Sequence, residues 1–261
     1  MRIWESIVLG LVQGLTEFLP VSSSGHLILL QRIFGLDDVP LLFDIILHLA
    51  TLTAVIIVFR KKIWQLVRKP FQKTNYCLLI ATAITCAMVL IAWLAGWTDA
   101  MRDYRILPVT FLITAIALFV VTILPKSREG KDGKVGYKTG IIAGIAQGIA
   151  IVPGISRSGA TIAASLATGV KREEAAEFAF LMSIPIIIAS FVFEIISSGG
   201  AVAAMPLWPV AFGFVAALVS GVFAIKVMLA IVKKIKLYWF SIYLVVLSIV
   251  LVFVIYIFNV L

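Results

Sequence analysis

Four side chains in this sequence combine a nucleophile, two acid–base groups and a fixed cation inside segments that are otherwise apolar. Ser23 and His26 stand three residues apart in VSSSGH, a spacing that makes them neighbours at the start of a helix. An imidazole with a reference pKa near ~6.5 can take a proton from a hydroxyl or return one to a leaving group. Glu17 stands just upstream in TEFLP. It can orient His26, activate water, hold a divalent cation, or close a buried ion pair with Arg157. Arg157, in PGISRSGAT, carries a permanent charge on a planar fork that matches phosphate. Chemistry at phosphorus is what this set suits.

The two stretches that carry these groups are copies of one another. Gly10–Gly25 reads GLVQGLTEFLPVSSSG, and Gly144–Gly159 reads GIAQGIAIVPGISRSG. Gly10, Gln13, Gly14, Ser22, Ser24 and Gly25 recur, 134 positions on, as Gly144, Gln147, Gly148, Ser156, Ser158 and Gly159. Gly35 recurs as Gly169. Shared architecture accounts for what recurs. Ser22, Ser24, Ser156 and Ser158 therefore read as helix caps or phosphate hydrogen-bond partners, with Thr161 adding a hydroxyl. Gly25 and Gly159 are expected to let a ligand approach the backbone. Gln13 and Gln147 are expected to bind backbone between helices. The copies differ where Ser23 faces Arg157, His26 faces Ala160 and Glu17 faces Ile151. Architecture does not require those departures, and ionisable groups among apolar helices mark function by default.

The elements that must position these groups are membrane elements. The chain has 261 residues, is 62% hydrophobic and 13% charged, and has a mean hydropathy of +1.13. A soluble domain is nearer half apolar and a quarter charged. Six runs suit membrane spans, at about 41–59, 76–97, 106–124, 174–196, 209–231 and 239–259. Asp44 and His48 in the first are expected to be interfacial or inward-facing polar groups with a local partner. Ile3–Phe18 and Thr139–Ile151 are too short to span ~30 Å of hydrocarbon. Pro20 and Val152–Pro153–Gly154 break them, and short helices from His26 to Phe34 and from Ala160 to Thr168 are expected to follow. Such broken segments enter the bilayer and return on the same side, surrounded by protein. The N-terminal apolar stretch lacks a small-residue cleavage site and is interrupted by Gln13 and Glu17, so no removable signal is expected there.

Basic residues set the orientation. Arg60, Lys61, Lys62, Arg68, Lys69 and Lys73 fall in one connection, and Lys126, Arg128, Lys131, Lys134 and Lys138 in another. Lys171 and Arg172, then Lys233, Lys234 and Lys236, fall on the same side. The opposite side holds Arg2, Arg32, Arg102 and Arg105. The positive-inside rule makes the sixteen cytoplasmic and both termini external. The fold expected is all-α and integral to the membrane: six transmembrane helices plus two re-entrant helix-loop-helix hairpins in an inverted-topology repeat. It forms one membrane domain over 1–261, with repeats at about 1–125 and 138–261 joined by a cytoplasmic loop at 125–138. Two helix N-termini then face one cavity, favouring an anion. The net charge of +9 is explained by topology, and no groove-reading motif accompanies it, so nucleic acid is not expected as a partner. Cys77 and Cys86 lie in one apolar run as small hydrophobes.

QGLTEFLPVSSSGH at 13–26 and PGISRSGATI at 153–162 resemble the two signature motifs of the undecaprenyl pyrophosphate phosphatase family of the bacitracin-resistance type, and the resemblance extends over essentially the whole chain. It implies removal of the terminal phosphate from a C55 polyprenyl diphosphate, giving the monophosphate carrier for cell-wall synthesis. It further implies a multi-pass protein of the bacterial plasma membrane, acting on the outer face with a divalent cation. The matching positions are Glu17, Ser23, His26, Ser156, Arg157, Ser158 and Thr161. The family has Glu or Gln four residues before the acid, and here it is Gln13. With one carboxylate, Mg²⁺ or Ca²⁺ is expected to be held loosely between Glu17 and the diphosphate.

Three nucleophile schemes are open at this point: Ser23 with His26 as base, His26 itself, or water activated through Glu17. A transporter or flippase of a polyprenyl phosphate is the alternative function, because inverted repeats with broken helices are also the transporter pattern. The asymmetric Ser23–His26–Glu17 set favours hydrolysis. The oligomeric state, a homodimer included, is open.

Overall fold

The computed structural model describes residues 1–36, 39–97, 103–123, 133–197, 206–232 and 237–257. Most of the expected loop 125–138, and Lys233, Lys234 and Lys236, lie outside the described residues. Every regular element among those described is helical. They are α1 (Ile3–Phe18), α2 (Ser23–Ile33), α3 (Leu41–Arg68), α4 (Lys73–Leu94), α5 (Leu107–Ile123), α6 (Tyr137–Ile149), α7 (Arg157–Ala167), α8 (Arg172–Ser197), α9 (Leu207–Ile231) and α10 (Tyr238–Val252). A 3₁₀ turn at Tyr104–Ile106 precedes α5, and a π turn at Phe253–Ile257 extends α10.

Six helical segments among the described residues are long and apolar enough to cross a membrane: α3, α4, α8 and α9, and α5 and α10 taken with their flanking turns as Tyr104–Ile123 and Tyr238–Ile257. They coincide with the six expected spans. Their outer faces present large exposed side chains such as Leu79, Val109, Ile116, Val219 and Phe223. A surface this apolar belongs in lipid. One boundary differs from expectation. The basic residues after Phe59 are helical, because α3 continues to Arg68 before Pro70 stops it. Lys and Arg are good helix formers, and the residue before a proline is turned away from helical backbone.

The remaining helices, α1, α2, α6 and α7, have 16, 11, 13 and 11 residues. The second helix of each pair starts three residues earlier than expected, at Ser23 and at Arg157. The preceding serines cap them: Ser22 Oγ accepts from Gly25 N–H at 3.4 Å and Ser156 Oγ from Gly159 N–H at 3.0 Å. This puts Ser23 and Arg157 at equivalent first-turn positions.

Small residues decide which helices touch. Gly10 and Gly14 of α1 lie flat against α9, where a Cβ at either would overlap the carbonyls of Gly213 and Ala217. Gly140 and Gly144 of α6 lie in the same way on α4, where a Cβ would sit 2.8 Å from the Cys77 and Ala81 carbonyl oxygens. Hydroxyls stitch both contacts. Thr85 Oγ1 donates to the Gly144 carbonyl at 3.0 Å, and Ser220 Oγ reaches the Gly10 carbonyl at 3.5 Å. Close backbone approach of this kind drives helix association in lipid, where apolar burial does not. The pairing keeps a two-fold pattern: α1 packs on α9 as α6 packs on α4, and α3 on α9 as α8 on α4. Helices α5 and α10 pack on each other, with Ser241 and Ser248 donating to the Ala115 and Pro108 carbonyls at 2.6 Å.

Candidate active site

The two breaks meet. Ser158 Oγ donates to the Leu19 carbonyl at 3.0 Å. A Cβ on Gly159 would lie 3.3 Å from Pro20 Cβ, and one on Gly25 would lie 3.1 Å from Gly154 Cα and 2.6 Å from the Phe111 ring. Gly25 and Gly159 thus let the broken segments pack on one another, whereas ligand approach was expected. Thr114 of α5 fixes the second break, accepting from Ser156 N–H at 3.0 Å.

Glu17 lies at the centre of this junction and is 5% exposed. Arg157 donates to its Oε1. Ser23 Oγ donates to its Oε2, which also accepts from Gln13 Nε2 at 3.1 Å. The ion pair with Arg157, one of the roles open to Glu17 from sequence, is therefore present, and the carboxylate is also bonded to the candidate nucleophile. Arg157 comes from α7 and Ser23 from α2, so the site needs both halves of the chain. A guanidinium has five N–H donors, and the contact with Glu17 leaves the others for an anion.

His26 faces elsewhere. Its Nδ1 donates to the Ser22 carbonyl at 2.7 Å, and its Nε2 lies 2.7 Å from the Tyr243 hydroxyl. A carbonyl only accepts, so Nδ1 carries the proton, and in the neutral ring Tyr243 donates to Nε2. The hydrogen bond expected between Ser23 and His26 is absent, because both ring nitrogens are engaged by other groups. Ser22, whose carbonyl fixes the ring, has φ +68° and is the one non-glycine described residue with positive φ. Backbone strain of about 1–3 kcal/mol at such a position is typical of functional sites.

Other expected contacts also differ. Gln13 binds Glu17 in its own helix, and Gln147 donates to Thr85 Oγ1 at 3.2 Å, so neither binds backbone across the repeats. A long amide reaches a side-chain partner before a backbone that is already helical. Thr161 is fully buried and its hydroxyl donates to the Arg157 and Ser158 carbonyls of its own helix. Ser22 pairs with Ser24 at 3.4 Å, and Ser156 with Ser158 at 3.2 Å.

Two residues near the site had no role assigned from sequence. Tyr243 of α10 is one; nothing in its sequence setting distinguishes it from a lipid-facing tyrosine. His48 is the other. Its Nε2 is 3.6 Å from Glu17 Oε2, and its Nδ1 donates to the Asp44 carbonyl at 2.7 Å. Asp44 itself accepts from Gln31 Nε2 at 2.7 Å. The signal for His48 was its presence in an apolar run as one of only two histidines. Its distance from Glu17 depends on how α1 packs against α3, which local sequence does not encode.

No cluster of three or more His, Cys, Asp or Glu that could hold a metal occurs among the described residues. One carboxylate already neutralised by arginine does not make a resident divalent site. A carboxylate in this position fits only a hard cation that arrives with its own waters and phosphate oxygens.

This architecture defines a polytopic helical membrane protein in which two broken segments enclose one buried carboxylate–arginine–serine centre. Within that class, the chain belongs to the family described as bacitracin resistance protein BacA, whose signature matches residues 6–250. It is 42% identical over 246 residues to the undecaprenyl-diphosphatase of Carboxydothermus hydrogenoformans, covering 93% of this chain and 94% of that protein. It is 41% identical over 259 residues to the undecaprenyl-diphosphatase of Treponema denticola, with 94% of each covered. It is 36% identical to that of Korarchaeum cryptofilum, covering 95% of this chain and 98% of that protein.

Proposed function

We propose that this protein hydrolyses the terminal phosphate of undecaprenyl diphosphate, giving undecaprenyl phosphate and inorganic phosphate. This recycles the lipid carrier for cell-wall synthesis and confers bacitracin resistance. One observation carries the reading beyond family membership: a buried serine hydroxyl is bonded to a carboxylate whose other oxygen is held by arginine. A carrier for lipid phosphate has no use for a nucleophile bonded to a base.

In this mechanism the terminal phosphate displaces part of the Arg157–Glu17 pair and takes donors from the guanidinium. Ser23 Oγ attacks the terminal phosphorus as its proton passes to Glu17 Oε2. The bond from that phosphorus to the bridging oxygen breaks, and the lipid monophosphate leaves with the electron pair. Water then cleaves the phosphoserine. Arg157 and the N-termini of α2 and α7 oppose charge on the transferring group, and preorganised charge stabilisation of this kind dominates phosphoryl transfer. His26 contributes through Nε2, which, once Tyr243 yields it and it is protonated, donates to a phosphate oxygen. A divalent cation bound with the diphosphate, near Glu17, would neutralise phosphate charge.

The broken pairs α1–α2 and α6–α7 act as re-entrant hairpins of an inverted repeat in the bacterial plasma membrane. The two-fold packing pattern and the basic-residue bias both support this. The lipid tail enters from the bilayer beside His26 and Tyr243, and the site opens outward. In sealed cells, cysteine at Asp103 should label with an impermeant thiol reagent, and cysteine at Lys69 should label only after permeabilisation. Both variants are made in a background lacking Cys77 and Cys86. Labelling of both from outside would overturn six crossings.

The function is tested by phosphate release from undecaprenyl diphosphate by purified protein in detergent, where transport cannot register. Steady multiple-turnover release is expected. No release, together with tight binding of the diphosphate, would favour the transporter reading.

A further inference from the structure

Helix α3 is longer than a bilayer requires. At ~1.5 Å per residue its 28 residues reach ~42 Å, against ~30 Å of hydrocarbon. The stretch from Leu41 to about Arg60 is enough to cross, which leaves Lys61–Arg68 at the level of the lipid head groups. Helix α4 starts close by, at Lys73. From Arg60 to Lys73 the sequence has six basic residues and no acidic one.

The two sides of this helix end differ. Phe59, Ile63 and Leu66 pack on the main core. Arg60, Lys61, Trp64, Val67 and Arg68, spaced i, i+1, i+4, i+7 and i+8, share the other face, and all five are exposed. Arg68 lies over the Trp64 ring at 4.8 Å, and Arg60 donates back to the Ile57 carbonyl at 3.0 Å. The face runs on into Ile56 and Ile57, which are exposed on the spanning part of the helix and so meet lipid. The turn into α4 is pinned: Asn75 Nδ2 reaches the Leu66, Lys69 and Pro70 carbonyls at 2.9, 3.1 and 3.0 Å. This fixed turn presents Phe71, 84% exposed, two residues after Lys69. Lys62 is held by Glu177 of α8 at 2.5 Å. Arg60, Lys61, Arg68 and Lys69 form no ion pair among the described residues.

We propose that this end of α3, with Phe71, is a binding site for the head group of an anionic phospholipid. Arg60, Lys61, Arg68 and Lys69 take its phosphate oxygens, since basic groups at a membrane surface gather anionic lipid. Trp64 settles among the head groups, while Val67 and Phe71 dip into the upper acyl chains. Lipid fits this face better than a water-borne protein does, because the face continues without a break into lipid-facing Ile56 and Ile57. None of these residues belongs to the carboxylate–arginine–serine centre, and the inference is independent of the diphosphatase reading.

The test uses full-length protein in nanodiscs of equal parts phosphatidylglycerol and phosphatidylcholine. The photocrosslinker p-benzoylphenylalanine replaces Phe71 or, as a control, the exposed mid-span Val219 of α9. Mass spectrometry then counts the lipid adducts. At position 71, phosphatidylglycerol adducts should outnumber phosphatidylcholine adducts by about threefold or more, whereas position 219 should give the two alike. Raised salt should shrink the preference at 71, because exposed charges are screened. Combining Arg60→Gln, Lys61→Gln, Arg68→Gln and Lys69→Gln should abolish it; glutamine forms helix nearly as well as lysine and arginine. The same lipid ratio at 71 as at 219 would overturn the proposal, and so would no lipid adduct at 71. A preference that survives the four substitutions would overturn the assignment to these cations. The comparison of positions 71 and 219 in otherwise unaltered protein stands even where the fourfold variant fails to fold.

Discussion

Ser23→Ala is expected to lower single-turnover phosphate release by about a thousandfold or more, and Glu17→Gln to do the same. The double variant should be little worse than either, because residues that act as one unit are strongly non-additive. The pair is chosen by geometry: Ser23 Oγ bonds Glu17 Oε2, whereas both nitrogens of His26 are engaged by Ser22 and Tyr243. His26→Ala should therefore combine multiplicatively with Ser23→Ala if both retain measurable rates. Diphosphate binding should survive in Ser23→Ala, since Arg157 and both helix N-termini remain. Rapid quench followed by phosphate release checks this directly. A mild Ser23→Ala beside a severe Glu17→Gln would replace serine attack with attack by water activated at Glu17. A mild effect in both would move the chemistry away from this junction.

Arg157→Lys is expected to cost about a hundred- to thousandfold in kcat/KM, the range for losing a preorganised donor to a transferring group. Lysine keeps the charge and loses the fork. An ammonium gathers its three donors on one atom and cannot present the planar, bidentate edges with which a guanidinium holds Glu17 and phosphate from separate nitrogens. The variant should still fold, because the junction keeps the Ser158 bond to the Leu19 carbonyl and the Gly159–Pro20 and Gly25–Gly154 contacts. Thermal unfolding in detergent and steady-state phosphate release separate the two effects. Near-full activity in a folded Arg157→Lys would reduce Arg157 to a structural partner of Glu17.

Most of the architecture was legible in the sequence because it is governed by composition along the chain. A run of apolar residues long enough to cross a bilayer has few alternatives to a helix, so the six long helices fall where hydropathy puts them. The repeat gave the two breaks, since Pro20 and Pro153 interrupt segments matched at Gly10, Gln13 and Gly14. It also isolated Glu17, Ser23, His26 and Arg157 as the positions where the copies differ. These are local or periodic signals, and they need no knowledge of which helix packs on which.

The partners of those residues were decided by the tertiary structure. Ser23 and His26 are close in sequence, which suggested a nucleophile and its base. In the helix, however, Ser23 turns toward α1 and His26 toward α10, and they bond Glu17 and Tyr243 instead. Gly25 and Gly159 were expected to admit a ligand, but they lie against Gly154 and Pro20 of the opposite broken segment, while Gly10, Gly14, Gly140 and Gly144 admit another helix, because in lipid the contact that matters is close backbone approach. His48 entered the site because α3 packs beside α1, and no spacing within α3 specifies that neighbour. The sequence by itself determined the helices, their breaks and the few residues able to do chemistry. Which of those residues hydrogen-bond one another was fixed only by packing between helices distant in the chain, since a hydrogen bond depends on direction and distance to tenths of an ångström and hydropathy on neither.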